Sequence, residues 1–278
     1  MTAGKSIQAS SSLRVLMCAP WHYAIRYEIN PWMKIQNSIY PPAALAQWEN
    51  LRGTLTRLGV EVWLVPQKKG CPDMVFTANA GVVQGRTFIP SHFRYAQRRG
   101  EESAFIRFFR RNGYQIQDAA RGLFFEGEGD LLPHRDMFFG GFRFRSEMRA
   151  HERVADALGK RVVPLELAHP RFYHLDTCFF PLDEDTVLYY PQAFDRHGRK
   201  AIERFVKKPM AVSREDAYAF ACNGIRIGRT VVLNRASRGL KRRLDGIGYL
   251  VVETPTSEFM KAGGAVKCLL LKLPAKGK

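Results

Sequence analysis

The sequence predicts one α/β domain built from five ββα-type units ringed about an axis. Three observations predict it. A short unit recurs at a period of about 50 residues, in the range that marks propellers and arrays. Each unit pairs a short apolar strand carrying polar residues with a Gly or acidic turn and a second apolar strand. Helix-like stretches separate these hairpins, and no Pro/Gly/Ser-rich linker divides the 278 residues. A lone hairpin and helix cannot bury its apolar face, whereas five packed around an axis can.

Taken in order, Leu13–Met17 reads as an opening strand. Residues 43–58 read as a helix, because Leu45, Trp48, Leu51, Leu55 and Leu58 recur at spacings of three or four. An apolar strand follows over 60–65, then a hairpin over 75–90. The pattern repeats with a helix over 101–111, a strand over 114–116 and a hairpin over 125–140. It repeats again with a helix over 147–158, a strand over 161–165 and a hairpin over 172–190. A helix over 213–220, a hairpin over 220–234 and a strand over 249–252 complete the fourth unit. The last segment, 263–273, has one strand only, and the opening strand can supply its missing partner. The domain therefore spans residues 13–274. Residues 1–12 are polar and Ser-rich, lack the apolar core of a secretory signal, and read as a disordered lead-in.

Composition excludes several classes. Hydrophobic residues make up 46% and charged residues 25%, enough apolar content for a packed core. No apolar run reaches the roughly 18 residues of a membrane span. The five cysteines, Cys18, Cys71, Cys178, Cys222 and Cys268, are odd in number and irregularly spaced. They form no CxxC pair or zinc-finger pattern, so a reduced, cytoplasmic protein without a metal centre is expected. The net charge is +17, from 43 Lys+Arg against 26 Asp+Glu. The densest basic spots, Arg107/Arg110/Arg111 and Arg238/Lys241/Arg242/Arg243, lie on helix-periodic segments and read as solvated faces. No nucleic-acid-binding module is present, which speaks against a nucleic acid partner. A homo-oligomer is compatible with the sequence.

A ring of units would bring the polar residues of the first strands to one focus, by the period-two alternation of strands. Those residues are Asn79, Glu126, His174, Asp176, Asn223 and Cys268. A thiol, an imidazole and carboxylates at one point make a nucleophilic site with cation-binding walls. The thiolate is the reactive form, and a neighbouring imidazole or a bound cation would promote it.

Four motifs carry a resemblance. They are Phe76-Thr-Ala-Asn-Ala-Gly81, Phe125-Glu-Gly-Glu-Gly-Asp130, His174-Leu-Asp-Thr177 and Gly263-Gly-Ala-Val-Lys-Cys268. In their order the chain resembles the guanidine-modifying superfamily of arginine deiminase, dimethylarginine dimethylaminohydrolase and glycine amidinotransferase. The resemblance implies the five-bladed α/β propeller, or pentein, fold. With Tyr27-Glu-Ile-Asn-Pro-Trp-Met33 added, the chain is most similar to the catalytic domain of cyanobacterial-type arginine dihydrolases. It implies Cys268 as nucleophile, His174 as general acid/base, and Glu126 and Asp176 as guanidinium binders, Glu126 also aiding proton transfer. Arg98 and Arg145 match positions that grip a substrate carboxylate, and Asn30 a further substrate contact. Asn79 stands where deiminases carry Asp and dihydrolases Asn. The glutamate motif holds one residue more than the common Glu-Gly-Gly-Asp form, which makes Glu128 a rival of Glu126.

The activity so implied is hydrolysis of arginine, or a close derivative, through a covalent amidino-cysteine. The product is ornithine after two rounds or citrulline after one, with no cofactor. The rivals are a dimethylargininase, an amidinotransferase, and a basic binding protein on the same scaffold. The last would be expected to have lost Cys268 or His174.

Overall fold

The computed structural model describes residues 13–274. The lead-in expected over residues 1–12 lies outside them. Five three-stranded sheets account for the strands. The first contains β1 (Arg14–Met17) and β2 (Glu61–Leu64), joined by α1 (Pro41–Arg57). The second runs β3 (Gly81–Gln84), β4 (Thr87–Pro90), α2 (Ala96–Arg111), β5 (Gln115–Ile116). The third runs β6 (Leu131–His134), β7 (Met137–Phe142), α3 (Met148–Ala157), β8 (Arg161–Glu166). The fourth runs β9 (Phe179–Pro181), β10 (Thr186–Tyr189), α4 (Arg196–Phe205), β11 (Lys208–Ala211). After α5 (Arg214–Tyr218) comes the fifth, β12 (Ile225–Ile227), β13 (Thr230–Leu233), α6 (Arg238–Asp245), β14 (Leu250–Glu253). Finally α7 (Ser257–Met260) leads to β15 (Leu271–Leu273), which returns to the first sheet.

Every sheet has the same plan. An antiparallel hairpin is followed by a helix and a third strand parallel to the hairpin's second. The first sheet obeys it only by using both chain ends. There β1 pairs antiparallel with β15, Leu16 opposite Leu271, and parallel with β2, Leu16 opposite Trp63. Middle strands are buried almost throughout, while the third strands alternate exposed ends with half-buried centres. The helices cover them: Trp48, Leu51 and Leu55 of α1 pack inward with Val15 and Met17 of β1.

Short 3₁₀ turns precede the first hairpin strand in four of the five sheets, β12 having none. The turn over 77–80 touches that over 127–129, which touches 175–177, which touches 267–269, which returns to 77–80. Asn223 bridges the last gap. Its Nδ2 donates to the Asp176 carbonyl (2.9 Å), and its own carbonyl accepts from the Lys267 amide (3.1 Å). Closeness at this ring requires glycine. Gly127 has φ +59°, and a Cβ there would strike the backbone of Gly81 and Ala78.

The ring corrects one expectation. The chemically equipped residues do not lie on strands with alternating faces. They lie in these turns, just before the strands begin. A tight turn can aim several near-consecutive side chains at one centre, which a strand's two-residue period forbids.

Candidate active site

The four turns deliver Asn79, Glu126, His174, Asp176 and Cys268 to one buried centre, each no more than 3% exposed. The Cys268 thiol donates to Asp176 Oδ2 (3.4 Å), and Sγ accepts from Asn223 Nδ2 (3.1 Å). The Asn223 Oδ1 in turn takes the Cys268 amide (3.2 Å). Burial, then the Asp176 charge, pushes the thiol well above its usual range. Burial likewise lifts the Asp176 carboxyl to about 7, against the pull of Lys267. Both shifts favour the neutral thiol and the neutral carboxyl over their charged forms.

Across the centre, His174 Nε2 bonds Glu126 Oε2 (2.8 Å), which also takes Arg145 Nη1 (3.1 Å). Burial pushes the Glu126 carboxyl up, but the Arg145 charge and the His174 bond outweigh it and hold it well below the usual carboxylate range. An ionised carboxylate only accepts, so the imidazole carries its proton on Nε2. Glu128 faces elsewhere: its Oε2 pairs with Lys267 Nζ (2.9 Å) and the Lys272 amide (3.2 Å). The geometry thus separates the two glutamates of the motif.

A pocket of about 260 Å³ opens onto Cys268 and is lined by Asn79, Arg98, Arg145, Asn30, Asp73 and Tyr173 among others. Arg98 and Arg145 are buried and largely engaged. Arg98 forks onto both Glu101 oxygens (2.9 and 2.8 Å), donates to Asn79 Oδ1 (2.8 Å) and to the Asp73 carbonyl (3.2 Å), and stacks on Phe93. Arg145 lies between Tyr95 and Tyr173 and also donates to the Ile29 carbonyl (2.9 Å). Asn30 reaches the pocket wall, yet its side chain serves the loop. Its Oδ1 takes the amides of Trp32 and Met33, and its Nδ2 donates to the Ala262 carbonyl.

Three buried polar atoms of this centre lack a protein partner: Asn79 Nδ2, Asp73 Oδ1 and Asp176 Oδ1. Such atoms are costly unless a ligand or water satisfies them. Gly129 lies against the first, since a Cβ there would collide with Asn79 Nδ2 and crowd the His174 ring. Asp73 is a site residue that the sequence did not announce. Tyr27 holds its Oδ2 (3.0 Å), and burial raises its carboxyl against the pull of Arg98. Among the described residues no group of three or more His, Cys, Asp or Glu is placed to hold a metal ion. No helix among them is long and apolar enough to cross a membrane.

Residues 27–274 match the profile of the family described as N,N-dimethylarginine dimethylhydrolase, eukaryotic. The bifunctional arginine dihydrolase/ornithine cyclodeaminase AgrE of Nostoc sp. is 44% identical over 271 residues, covering 95% of this chain and 38% of that protein. The chain thus spans about two fifths of that relative's length. The N(G),N(G)-dimethylarginine dimethylaminohydrolase of Mycobacterium tuberculosis is 38% identical over 260 residues, covering 94% of this chain and 85% of that one. Among solved structures, the N-terminal domain of ArgZ, a cyanobacterial arginine dihydrolase, superposes with a TM-score of 0.90 at 43% identity over 94% of this chain and 97% of that one. That structure is of a cysteine-to-serine variant bound to substrate. Another is of an asparagine-to-serine variant covalently bound to a reaction intermediate.

Proposed function

The chain belongs to the N,N-dimethylarginine dimethylhydrolase family, and on that premise we propose that it is a cysteine-dependent guanidine hydrolase that converts arginine to ornithine. One observation carries the reading: a buried thiol on the wall of a pocket is bonded to the Asp176 carboxyl, the bonded Glu126–His174 pair is buried in the same ring of turns, and polar atoms of Asn79 and Asp73 on the pocket wall lack a protein partner. The relatives named above support arginine as the substrate.

The chemistry follows from the charges. A guanidinium entering between Asp176 and Glu126 favours the ionised form of Asp176 and the thiolate of Cys268, whose proton passes to His174 and makes it an imidazolium. The thiolate then attacks the guanidinium carbon. His174, held by Glu126, protonates the departing nitrogen, and ammonia leaves. His174 next takes a proton from water, which displaces the sulfur and yields citrulline. A second round with a second water releases ammonia and carbon dioxide and leaves ornithine. Arg145 and Arg98 line the pocket and would take the α-carboxylate, and the free Asp73 oxygen would accept from the α-ammonium.

Asn79 favours the second round. Arg98 can only donate, so it fixes the Asn79 acceptor on itself and leaves the Nδ2 donor facing the pocket. A donor suits the urea oxygen of a citrulline-like intermediate, whereas a guanidinium offers it no acceptor. A second reading, dimethylargininase, has the family profile and the Mycobacterium relative in its favour. Incubation with arginine, dimethylarginine and agmatine, with products identified by mass, decides between them. Ornithine from arginine is expected. Citrulline as the sole product would overturn the two-round reading, and turnover of dimethylarginine alone would favour the second.

A further inference from the structure

The extra glutamate of the Glu-Gly-Glu-Gly-Asp motif has no part in the chemistry above, yet it is buried with a lysine beside the nucleophile. Glu128 is 6% exposed and Lys267 is 5% exposed. Lys267 Nζ bonds Glu128 Oε2 (2.9 Å) and the Leu270 carbonyl (3.0 Å). Lys267 also precedes Cys268 in the same turn, so its side chain leaves the ring on the side away from the pocket. There a second cavity is lined by Asp176, Lys267, Lys272, Cys222 and apolar neighbours. Asp176 thus stands between Cys268, which it bonds and which lines the substrate pocket, and a cavity whose wall it shares with Lys267 of the buried charge pair.

We propose that the Lys267–Glu128 ion pair sets the charge of Asp176 from behind, so that Lys267 is a positioning residue for the guanidinium site. This rests on the reading that Asp176 holds the guanidinium. The two members act in opposite directions. Lys267 favours the ionised carboxylate and Glu128 disfavours it, in an interior where charges are poorly screened. The other titratable groups around Asp176 are Cys268 in the Lys267 turn, Lys272 on β15, Asp130 before β6, and Cys178, Tyr173 and Cys222. None of these shares a chain turn with the nucleophile and also pairs with the motif's added residue, as Lys267 does.

The opposed signs make the test sharp, because Lys267→Met and Glu128→Gln break the same contact. If the pair were merely structural, both would impair the enzyme alike. Here the acid limb of kcat/KM, which reports Asp176 ionising, should move up in Lys267→Met. It should move down in Glu128→Gln, each by about one pH unit, or about tenfold in activity on the limb. The double variant should return near the unmodified profile. Carbon-13 carboxyl NMR, with the Asp176 signal identified through Asp176→Asn, reads the same titration without substrate. Shifts of one sign in both variants, or no shift in Glu128→Gln, would overturn the proposal. Should Lys267→Met fail to fold, Glu128→Gln alone decides by the direction of its shift. Opposite NMR shifts beside an unmoved rate profile would uphold the pair's hold on Asp176 and refute the guanidinium role of Asp176 instead.

Discussion

At the scale of residues, reactivity is set by what surrounds each group. The thiols of Cys18, Cys178 and Cys222 are pushed up by burial in the core, and only Cys268 adds a carboxylate and an amide donor to its sulfur. Cys268→Ser should therefore abolish turnover with the fold intact, a hydroxyl being a far weaker nucleophile. Replacing any of the other four cysteines should alter stability and not chemistry, checked by steady-state rates beside urea midpoints. Glu126→Gln and Asp176→Asn each lose a charge-assisted hydrogen bond, so kcat/KM should fall about 10- to 100-fold. Unchanged kinetics in either would refute that residue's role. Asn79→Asp should keep the Arg98 contact but turn an oxygen, not a donor, toward the substrate, shifting output from ornithine to citrulline. An unchanged product ratio would refute the donor argument. The motif order pointed to Cys268, His174, Glu126, Asp176 and Asn79, which the structure buries in one ring of turns. Asp73 escaped notice because a lone Asp after Pro carries no chemical pattern. The bonds of Arg98 to Asn79 and Asp73, and of Asn30 to Ala262, join residues far apart in sequence.

At the scale of elements, periodicity found what buries a broad stripe and missed what does not. Residues 43–58 read as a helix through four leucines and a tryptophan, and α1 spans Pro41–Arg57. By contrast α4, Arg196–Phe205, buries only Gly198 and Ile202, too little to stand out. It starts where Asp195 accepts from the Gly198 amide (2.7 Å). Asp195→Ala should cost about 1 kcal/mol by urea denaturation, with activity retained. A neutral result would mean that the cap contributes nothing. Helix α2 begins at Ala96, five residues before the expected start at 101, because its first turn is polar and buries Arg98. The apolar halves of the hairpins were legible as strands. The turns ahead of them were not, since their shape is imposed by the ring and not by local preference.

At the scale of the molecule, the chain closes its ring by pairing its first described strand with its last. The partnership of residues 13–17 with the final segment was foreseen only because that segment was one strand short. Leu16 lies in the middle of that closing sheet, wholly buried against Leu271. Leu16→Ala should cost about 2–5 kcal/mol, and unfolding should stay a single transition if the ring is one cooperative unit. Arg98, Arg145 and Lys267 are buried at the site, but the densest basic clusters lie on exposed faces, Arg107, Arg110 and Arg111 of α2 and Arg242 and Arg243 of α6. The centre of the ring gathers carboxylates for a cation. The central claim is that this centre joins Cys268 to the guanidinium carbon of arginine. It is tested most directly by acid-quenching the enzyme during turnover of arginine labelled at that carbon and mapping the label by peptide mass. The account predicts a transient adduct on Cys268 alone, which decays as labelled carbon dioxide and ornithine appear. Turnover without label on Cys268, or label on another cysteine, would contradict it.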